Sequence, residues 1–268
     1  MTDEYKQQII NYFERRTAYD AEGNSHPQQA RLLLDYVTVE SGQTVLDIAT
    51  GTGLVAIPVA QKVAPAGFVI GVDISPGMLA QARSKIVAKG IDNLELIEAD
   101  IESVEFEFER FNTIYCCSAL VYISDILGII RKCHSWLKLG GCFAFTTPYK
   151  TLFLADVKVD VCKKLFNIDL PHIIRPLWTL EKCRNLLEKA GFQNIEIEQN
   201  QYYKLEIERN YGSTRIENEF YPRGNPLVDL SAEQKDLLQT EYKKAVEQII
   251  AQRGKWVENY NLFVKAYK

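Results

Sequence analysis

The chain has 268 residues, 47% of them hydrophobic and 25% charged, a mixture suited to one large α/β domain carrying an insertion. Its 35 acidic and 31 basic residues leave a formal net charge of −4 with no basic run, which argues against a nucleic-acid or anionic-membrane surface. Residues 1–10 are polar, without the apolar core of a signal peptide, and no apolar run is long enough to cross a bilayer, so the expectation is a cytoplasmic protein without membrane attachment.

Residues 4–16 read as a polar helix with Ile9, Ile10 and Phe13 on one side. A turn-rich stretch, 19–25, follows. Ser25 or His26 can cap the next helix, with Pro27 in its first turn and Ala30, Leu33, Leu34 and Val37 at helical spacing. Val45, Leu46 and Ile48 form a short buried strand, 50–53 a turn of small residues, and 54–57 the start of an apolar helix. Such a turn presents free backbone N–H groups, and its glycines admit a ligand close to the main chain. The apolar run 68–72 ends in Asp73, about 20 residues after Gly53, an offset at which a carboxylate accepts from a ribose diol. Ser75-Pro76 starts a helix that Gly90 closes. A third strand, 94–99, ends in Asp100, an acceptor for an adenine amino group. The predicted ligand is an adenosine-bearing cofactor.

Beyond Asp100 the acidic stretch 102–109 reads as a solvated loop, and 111–117 as the fourth strand. Its end, 118–122, falls where ligands gather in open α/β sheets. A helix over 125–137, a turn at 138–141 and a fifth strand at 142–146 continue a strand–helix alternation that implies a doubly wound parallel sheet. His134, mid-helix, reads as a packing or surface residue. The second half is less regular: a helix over 151–166, a loop over 167–176, a helix from Thr179 to Gly191, and a strand at 195–198 that 202–207 either continues or flanks as an edge. Ser231 and Gln234 make a capping box for a helix whose stripe is Leu237, Leu238, Tyr242, Val246, Ile249 and Ile250, and 256–267 is a closing strand.

The stretch 51–56 fits a dinucleotide fingerprint with alanine in its last place. Asp47 speaks against that reading, because a carboxylate there faces a pyrophosphate badly and suits a ligand with an ammonium group. The six cysteines form no C-x-x-C and the three histidines lack zinc-ligand spacing, so reduced buried thiols and no metal are expected; Cys116 and Cys117 should face opposite sides of their strand.

The stretches VLDIATGTG, VIGVDIS, LIEADIE, FNTIYCCSAL and LKLGGCFAF, in that order over 44–147, resemble the class I S-adenosylmethionine-dependent methyltransferases, close to the ubiquinone/menaquinone-biosynthesis type. Ala49 stands where many members have glycine, and Asn112 where many have aspartate. The resemblance implies a Rossmann-like, doubly wound, mostly parallel α/β sheet whose antiparallel closing strand lies beside the fifth strand, with a helical lid insertion. It implies S-adenosyl-L-methionine as cofactor. Asp47, Ala49, Gly51 and Gly53 then fall to the methionine end, with Tyr19 reaching its carboxylate; Asp73 and Ile74 fall to the ribose, Asp100, Ile101 and Met78 to adenine, and Cys117 and Ser118 to the site wall. The chain divides into N-terminal helices (1–40), a cofactor-binding core (41–148), substrate-side helices and lid (149–254) and the closing strand (255–268) of one methyltransferase domain.

Members that modify bases or amide nitrogens often carry an (Asn/Asp)-Pro-Pro-aromatic sequence where this chain has Cys117-Ser118-Ala119-Leu120, so a small organic acceptor is expected, with oxygen ahead of carbon and nitrogen. His172 and His26 are the candidate bases, Tyr122 and Asp125 weaker ones. Residues 202–230, with Tyr202, Tyr203, Tyr211, Phe220 and Tyr221, are expected to form the lid; Arg215 and Arg223 could hold an anionic or hydrogen-bonding acceptor, with a surface role favoured for each. A nicotinamide-dependent reductase and a non-catalytic S-adenosylmethionine-binding module are the alternatives. A monomer or homodimer is expected.

Overall fold

The computed structural model describes residues 4–22, 25–149, 154–206, 221, 224–253 and 256–268. Five strands run parallel: β1 (Thr44–Ile48), β2 (Phe68–Asp73), β3 (Leu94–Glu98), β4 (Phe111–Cys116) and β5 (Leu137–Pro148). The closing strand β7 (Trp256–Tyr267) lies antiparallel between β5 and β6 (Gln193–Glu206), giving the order β3-β2-β1-β4-β5-β7-β6. This is the expected doubly wound α/β sheet with its antiparallel closing strand beside β5.

The near-continuous apolar character of β1, β2, β4 and β5 follows from burial on both faces. Leu46, Ile70, Ile114, Phe143 and Val264 point into one core, while Val45, Val69, Tyr115, Ala144 and Phe263 point into the other. The first core is closed by α5 (Ile126–Trp136) and α7 (Leu180–Lys189), the second by α2 (Ser25–Tyr36) and α3 (Ala56–Val63). Cys116 belongs to the first core and Cys117 packs against the second, as alternation along a strand requires, and all six cysteines are free. Ser75 caps α4 (Pro76–Lys89), accepting from the Met78 N–H, and Gly90 ends it in the left-handed region at φ +62°. Asn112 accepts from the Thr44 N–H at 3.0 Å and from Lys138 at 3.1 Å, tying β4 to the start of β1. Ser231 and Gln234 form the expected capping box at the start of α8 (Ala232–Arg253).

Four expectations need correction. Residues 138–141 are part of β5, not a turn between elements. Phe111 pairs with Leu137 but Thr113 with Cys142, so the extra residues bulge, with Gly140 at φ +74° and its N–H on the Lys268 carbonyl. The acidic stretch 102–109 is not merely solvated. Phe106 packs edge-on against Phe111 and Trp136, Lys132 donates to the carbonyls of Glu102 and Val104, and Glu102 is built into the fold. On α8, Leu238, Tyr242 and Val246 are buried while Leu237 is 45% exposed, because it points about 100° away from Leu238. Residues 202–206 continue β6 and do not belong to a lid. Tyr221 packs with Leu227, Leu238 and Cys162 under α6 (Ala155–Phe166). Tyr211, Arg215, Phe220 and Arg223 lie outside the described residues.

β2 lies on one side of β1 and β4 on the other. Their carboxyl ends therefore diverge around a crevice, the place where open α/β sheets take ligands.

Candidate functional site

A cavity of about 1050 Å³, open to solvent, occupies that crevice. Its floor is the turn after β1. Ala49 holds φ +53° and Gly51 φ +55°. The left-handed backbone at 49 is the conformation glycine adopts without strain, which explains why glycine is common at that place; alanine bears ~1–3 kcal/mol there.

Two aspartates shape this floor from within. Asp73, at the end of β2, accepts from the Gly51 N–H through one oxygen and from the Ser75 N–H through the other, both at 2.8 Å. Burial raises its pKa against the pull of those N–H groups. Asp47, at the end of β1, accepts from the Thr50 hydroxyl at 2.7 Å and from the Ala56 N–H at 3.1 Å through the same oxygen. Burial pushes Asp47 up to about 7, with Thr50 and Ala56 offsetting only part of that. Both carboxylates line the cavity.

The roof is N-terminal. Helix α1 (Glu4–Glu14), the turn Tyr19–Ala21 and the start of α2 contribute Lys6, Ile9, Phe13, Tyr19, His26 and Ala30 to the lining. Tyr19 and His26 stack with ring centroids 4.7 Å apart, and the Arg16 guanidinium lies 4.2 Å from the Tyr19 ring centre. Burial, reinforced by Arg16, lowers the His26 pKa and keeps its imidazole neutral at pH 7. Burial raises the Tyr19 pKa, so its hydroxyl stays protonated. This roof is fastened at several points. Tyr5 donates to the Tyr122 carbonyl, Gln81 to the Arg16 carbonyl and the Thr52 hydroxyl to Asp20, while Lys85 pairs with Asp20.

One end of the cavity is apolar, walled by Ile74, Met78, Ala99, Ile101 and Ile123, with Asp100 as its carboxylate. Opposite, Ser118 takes φ +57°; its N–H donates to Thr146 at 2.9 Å and its hydroxyl to Gln29. Burial pushes the neighbouring Cys117 thiol up to about 12, so it is inert as a nucleophile.

Twelve of the fourteen residues predicted for the site thus line one cavity: Tyr19, His26, Asp47, Ala49, Gly51, Asp73, Ile74, Met78, Asp100, Ile101, Cys117 and Ser118. Gly53 and His172 do not. Gly53, at φ +81°, packs beneath the turn against Ile57 and Ala82. His172 is 6% exposed; its Nδ1 accepts from the Ile174 N–H at 3.4 Å within the loop before α7, away from the cavity lining. Asp125, the weaker base candidate, caps α5 by accepting from the Gly128 N–H. The sequence reading missed Lys6, Phe13 and Thr52 as lining residues. The glycine loop itself pointed to Thr52, whereas nothing local marks Lys6 or Phe13 on a polar helix. Among the described residues no grouping of three or more His, Cys, Asp or Glu could hold a metal ion.

The family described as "Methyltransferase domain" matches residues 45–141, the stretch that builds the floor. The aklanonic acid methyltransferase of Streptomyces sp. (strain C5) is 32% identical over 192 residues, 69% of this chain and 87% of that protein. The ubiquinone/menaquinone biosynthesis C-methyltransferase UbiE of Pseudomonas putida (strain F1) is 32% identical over 189 residues, 65% of this chain and 74% of that protein. Among solved structures, phosphoethanolamine N-methyltransferase 2 of Haemonchus contortus, in complex with phosphomonomethylethanolamine and S-adenosylhomocysteine, has the same fold: TM-score 0.62 at 21% identity, over all of this chain and 60% of that one. The dinucleotide reading of the glycine loop is thereby set aside. A crevice floored by the matched segment, and relatives at 32% identity of which this chain covers 87% and 74%, make it a member of the class I S-adenosylmethionine-dependent methyltransferases, of the ubiquinone/menaquinone-biosynthesis-like type.

Proposed function

We propose that the protein methylates an oxygen of a small organic molecule, with His26 as the base that prepares the acceptor. The observation that carries this reading is a neutral imidazole on the cavity wall, among apolar and aromatic side chains. A hydroxyl must lose its proton to become a good nucleophile, and a positioned base contributes ~10²–10⁴-fold to such a step. His172, buried in its loop and bonded to backbone, is not needed for it.

The donor set fits S-adenosylmethionine. In this reading Asp73 accepts from ribose hydroxyls in addition to its two backbone donors, and Asp100 accepts from the adenine amino group, with Met78 and Ile101 in the same lining. Asp47, with the backbone of 49–51, is placed for the ammonium end, and Tyr19 for the carboxylate. The bound sulfonium supplies an electrophilic methyl group. The chain's task is to orient the acceptor against it and exclude water, and orientation is worth up to ~7–11 kcal/mol in well-aligned systems. Phe13, Tyr122 and Ile123 supply apolar wall for this, the two rings packed edge to face. The names of the relatives, aklanonic acid methyltransferase and a quinone-pathway C-methyltransferase, support a small organic acceptor. The same base would serve a carbon beside a deprotonated hydroxyl, so the linkage in the product distinguishes the two. No helix among the described residues is long and apolar enough to cross a membrane, and we place the protein in the cytoplasm. Residues 1–268 form one methyltransferase domain in this reading.

The test is transfer from methyl-labelled cofactor to a panel of hydroxylated aromatic acceptors, with the methylated atom identified by NMR. His26→Ala should lower turnover by ~10²-fold and leave S-adenosylhomocysteine affinity intact, while His172→Ala should match the parent. A His26→Ala protein with parental turnover on the acceptor would remove the base and leave catalysis by positioning.

A further inference from the structure

Lys6 is a lysine with no obvious business in a cavity. It lies on a helix of polar sequence, yet it is 7% exposed and lines the crevice at its apolar end. Its ammonium pairs with Glu102 and lies 3.4 Å from Oδ1 of Asp100, partners 96 and 94 residues away in the chain. That same Oδ1 also accepts from the Glu102 N–H at 3.0 Å, so among the described residues both donors to the Asp100 carboxylate converge on one oxygen. Oδ2 has no protein donor among the described residues, and Asp100 lines the cavity.

Glu102 completes the arrangement. Besides Lys6 it accepts from the N–H groups of Ser124 at 3.2 Å and Asp125 at 2.7 Å, in the loop between β4 and α5. Burial alone would raise its pKa, but Lys6 and these N–H groups outweigh burial and hold Glu102 below the usual carboxylate range. Two carboxylates therefore share one cation, the Lys6 ammonium delivered by α1. Without it their repulsion would turn Asp100 away, because close like charges in a partly buried setting repel strongly.

We propose that Lys6 is a positioning residue for adenine recognition: it occupies Oδ1 of Asp100 and neutralises Glu102, so that Oδ2 is held free to accept from the purine amino group. The inference rests on the reading of Asp100 as the adenine acceptor. It makes the N-terminal helix part of base selectivity, because a residue on α1 sets the orientation of a carboxylate on the sheet. Docking of α1 and recognition of the amino group are then linked: each stabilises the arrangement the other needs.

The experiment is calorimetric binding of S-adenosylhomocysteine and of its 6-deamino (purine riboside) analogue, which lacks the amino group and adds no acceptor. The parent should prefer S-adenosylhomocysteine by tenfold or more. Lys6→Met should cut that preference to threefold or less, and Lys6→Arg should restore most of it. Lys6→Gln carries the same expectation as Lys6→Met should the latter fail to fold, as judged by circular dichroism. Asp100→Ala should abolish the preference. A Lys6→Met protein that binds both ligands more weakly with an unchanged ratio overturns the proposal, since Lys6 would then only support the fold. Full preference in Lys6→Met beside none in Asp100→Ala also overturns it, while leaving the reading of Asp100 intact. Preference retained in Asp100→Ala removes Asp100 from the base and the proposal with it.

Discussion

The Thr52 hydroxyl donates to Asp20 at 2.5 Å, joining the glycine loop to the N-terminal segment across 32 residues of sequence. Lys85 of α4 pairs with the other Asp20 oxygen and donates to the Thr52 carbonyl at 2.7 Å. Floor and roof of the cavity are therefore held by one carboxylate. Asp20→Asn should raise amide exchange over residues 4–22 and weaken S-adenosylmethionine binding about fivefold, or ~1 kcal/mol, since these side chains are about a third exposed and solvent screens the pair. Unchanged exchange over 4–22 would show that the remaining contacts suffice to hold the roof.

Asp73 is built into the turn and is proposed to bind the ribose, and its replacement tests both. Its oxygens satisfy the N–H groups of Gly51 and Ser75, so the side chain supports the turn as well as lining the cavity. Asp73→Ala should lower the melting temperature, because each unsatisfied buried N–H costs ~1–3 kcal/mol. It should also weaken cofactor binding at least tenfold, ~1.4 kcal/mol. Calorimetry and thermal melts on the same preparation separate the two effects. Parental affinity in a folded Asp73→Ala protein would take Asp73 away from the ribose.

Asp47 should impose a pH dependence of a definite sign. Its pKa is raised from 3.8 to about 7 by burial, so between these values the folded protein binds more protons than the unfolded chain. Stability of the ligand-free protein should fall as pH rises from about 4 to about 7 and then level off. Asp47→Asn, which keeps an oxygen for Thr50 and Ala56, should flatten that limb and be more stable than the parent at pH 8. A cofactor ammonium favours the ionised carboxylate, so affinity should rise with pH through the same window in the parent and not in Asp47→Asn. Denaturant melts and calorimetry from pH 5 to pH 8 check both slopes; parallel curves for the two proteins would exclude Asp47 as their source.

Gly53 shapes the turn without lining the cavity. At φ +81° an alanine is strained, and its Cβ would stand 2.7 Å from the Ile57 Cδ1. Gly53→Ala should cost ~1–3 kcal/mol of stability in denaturant melts. Ile57→Ala removes both crowding atoms, Cδ1 at 2.7 Å and Cγ1 at 2.9 Å, so in an Ile57→Ala background the same glycine change should cost only the backbone penalty. No loss in that background would mean that the backbone conformation at 53 costs nothing.

Most of the floor was legible in the sequence because its chemistry is local. Strand, small-residue turn and helix occur in one stretch, and acids at the ends of β1, β2 and β3 sit at offsets that parallel-sheet geometry brings together. The same alternation of apolar runs and capped helices foretold the sheet, and the family pattern foretold the antiparallel strand beside β5. Ala49 was noted as a departure, but only its φ of +53° shows what glycine does at that position.

The roof, and which histidine lines the cavity, were decided by the tertiary structure. His26 and His172 are alike in sequence, each beside a proline in a turn-prone stretch, yet one stacks on Tyr19 in the cavity and the other is sealed in a loop. Lys6 looked like any solvated helical lysine until folding placed it beside carboxylates 94 and 96 residues away. Periodicity and motif spacing record interactions within one element or between successive ones, which is why strands, turns and the acids at strand ends could be read directly. Burial, pairing of charges and the resulting pKa shifts depend on which distant elements are packed together. That packing is a property of the folded chain, and it alone turned a row of acids and a polar helix into a roofed site.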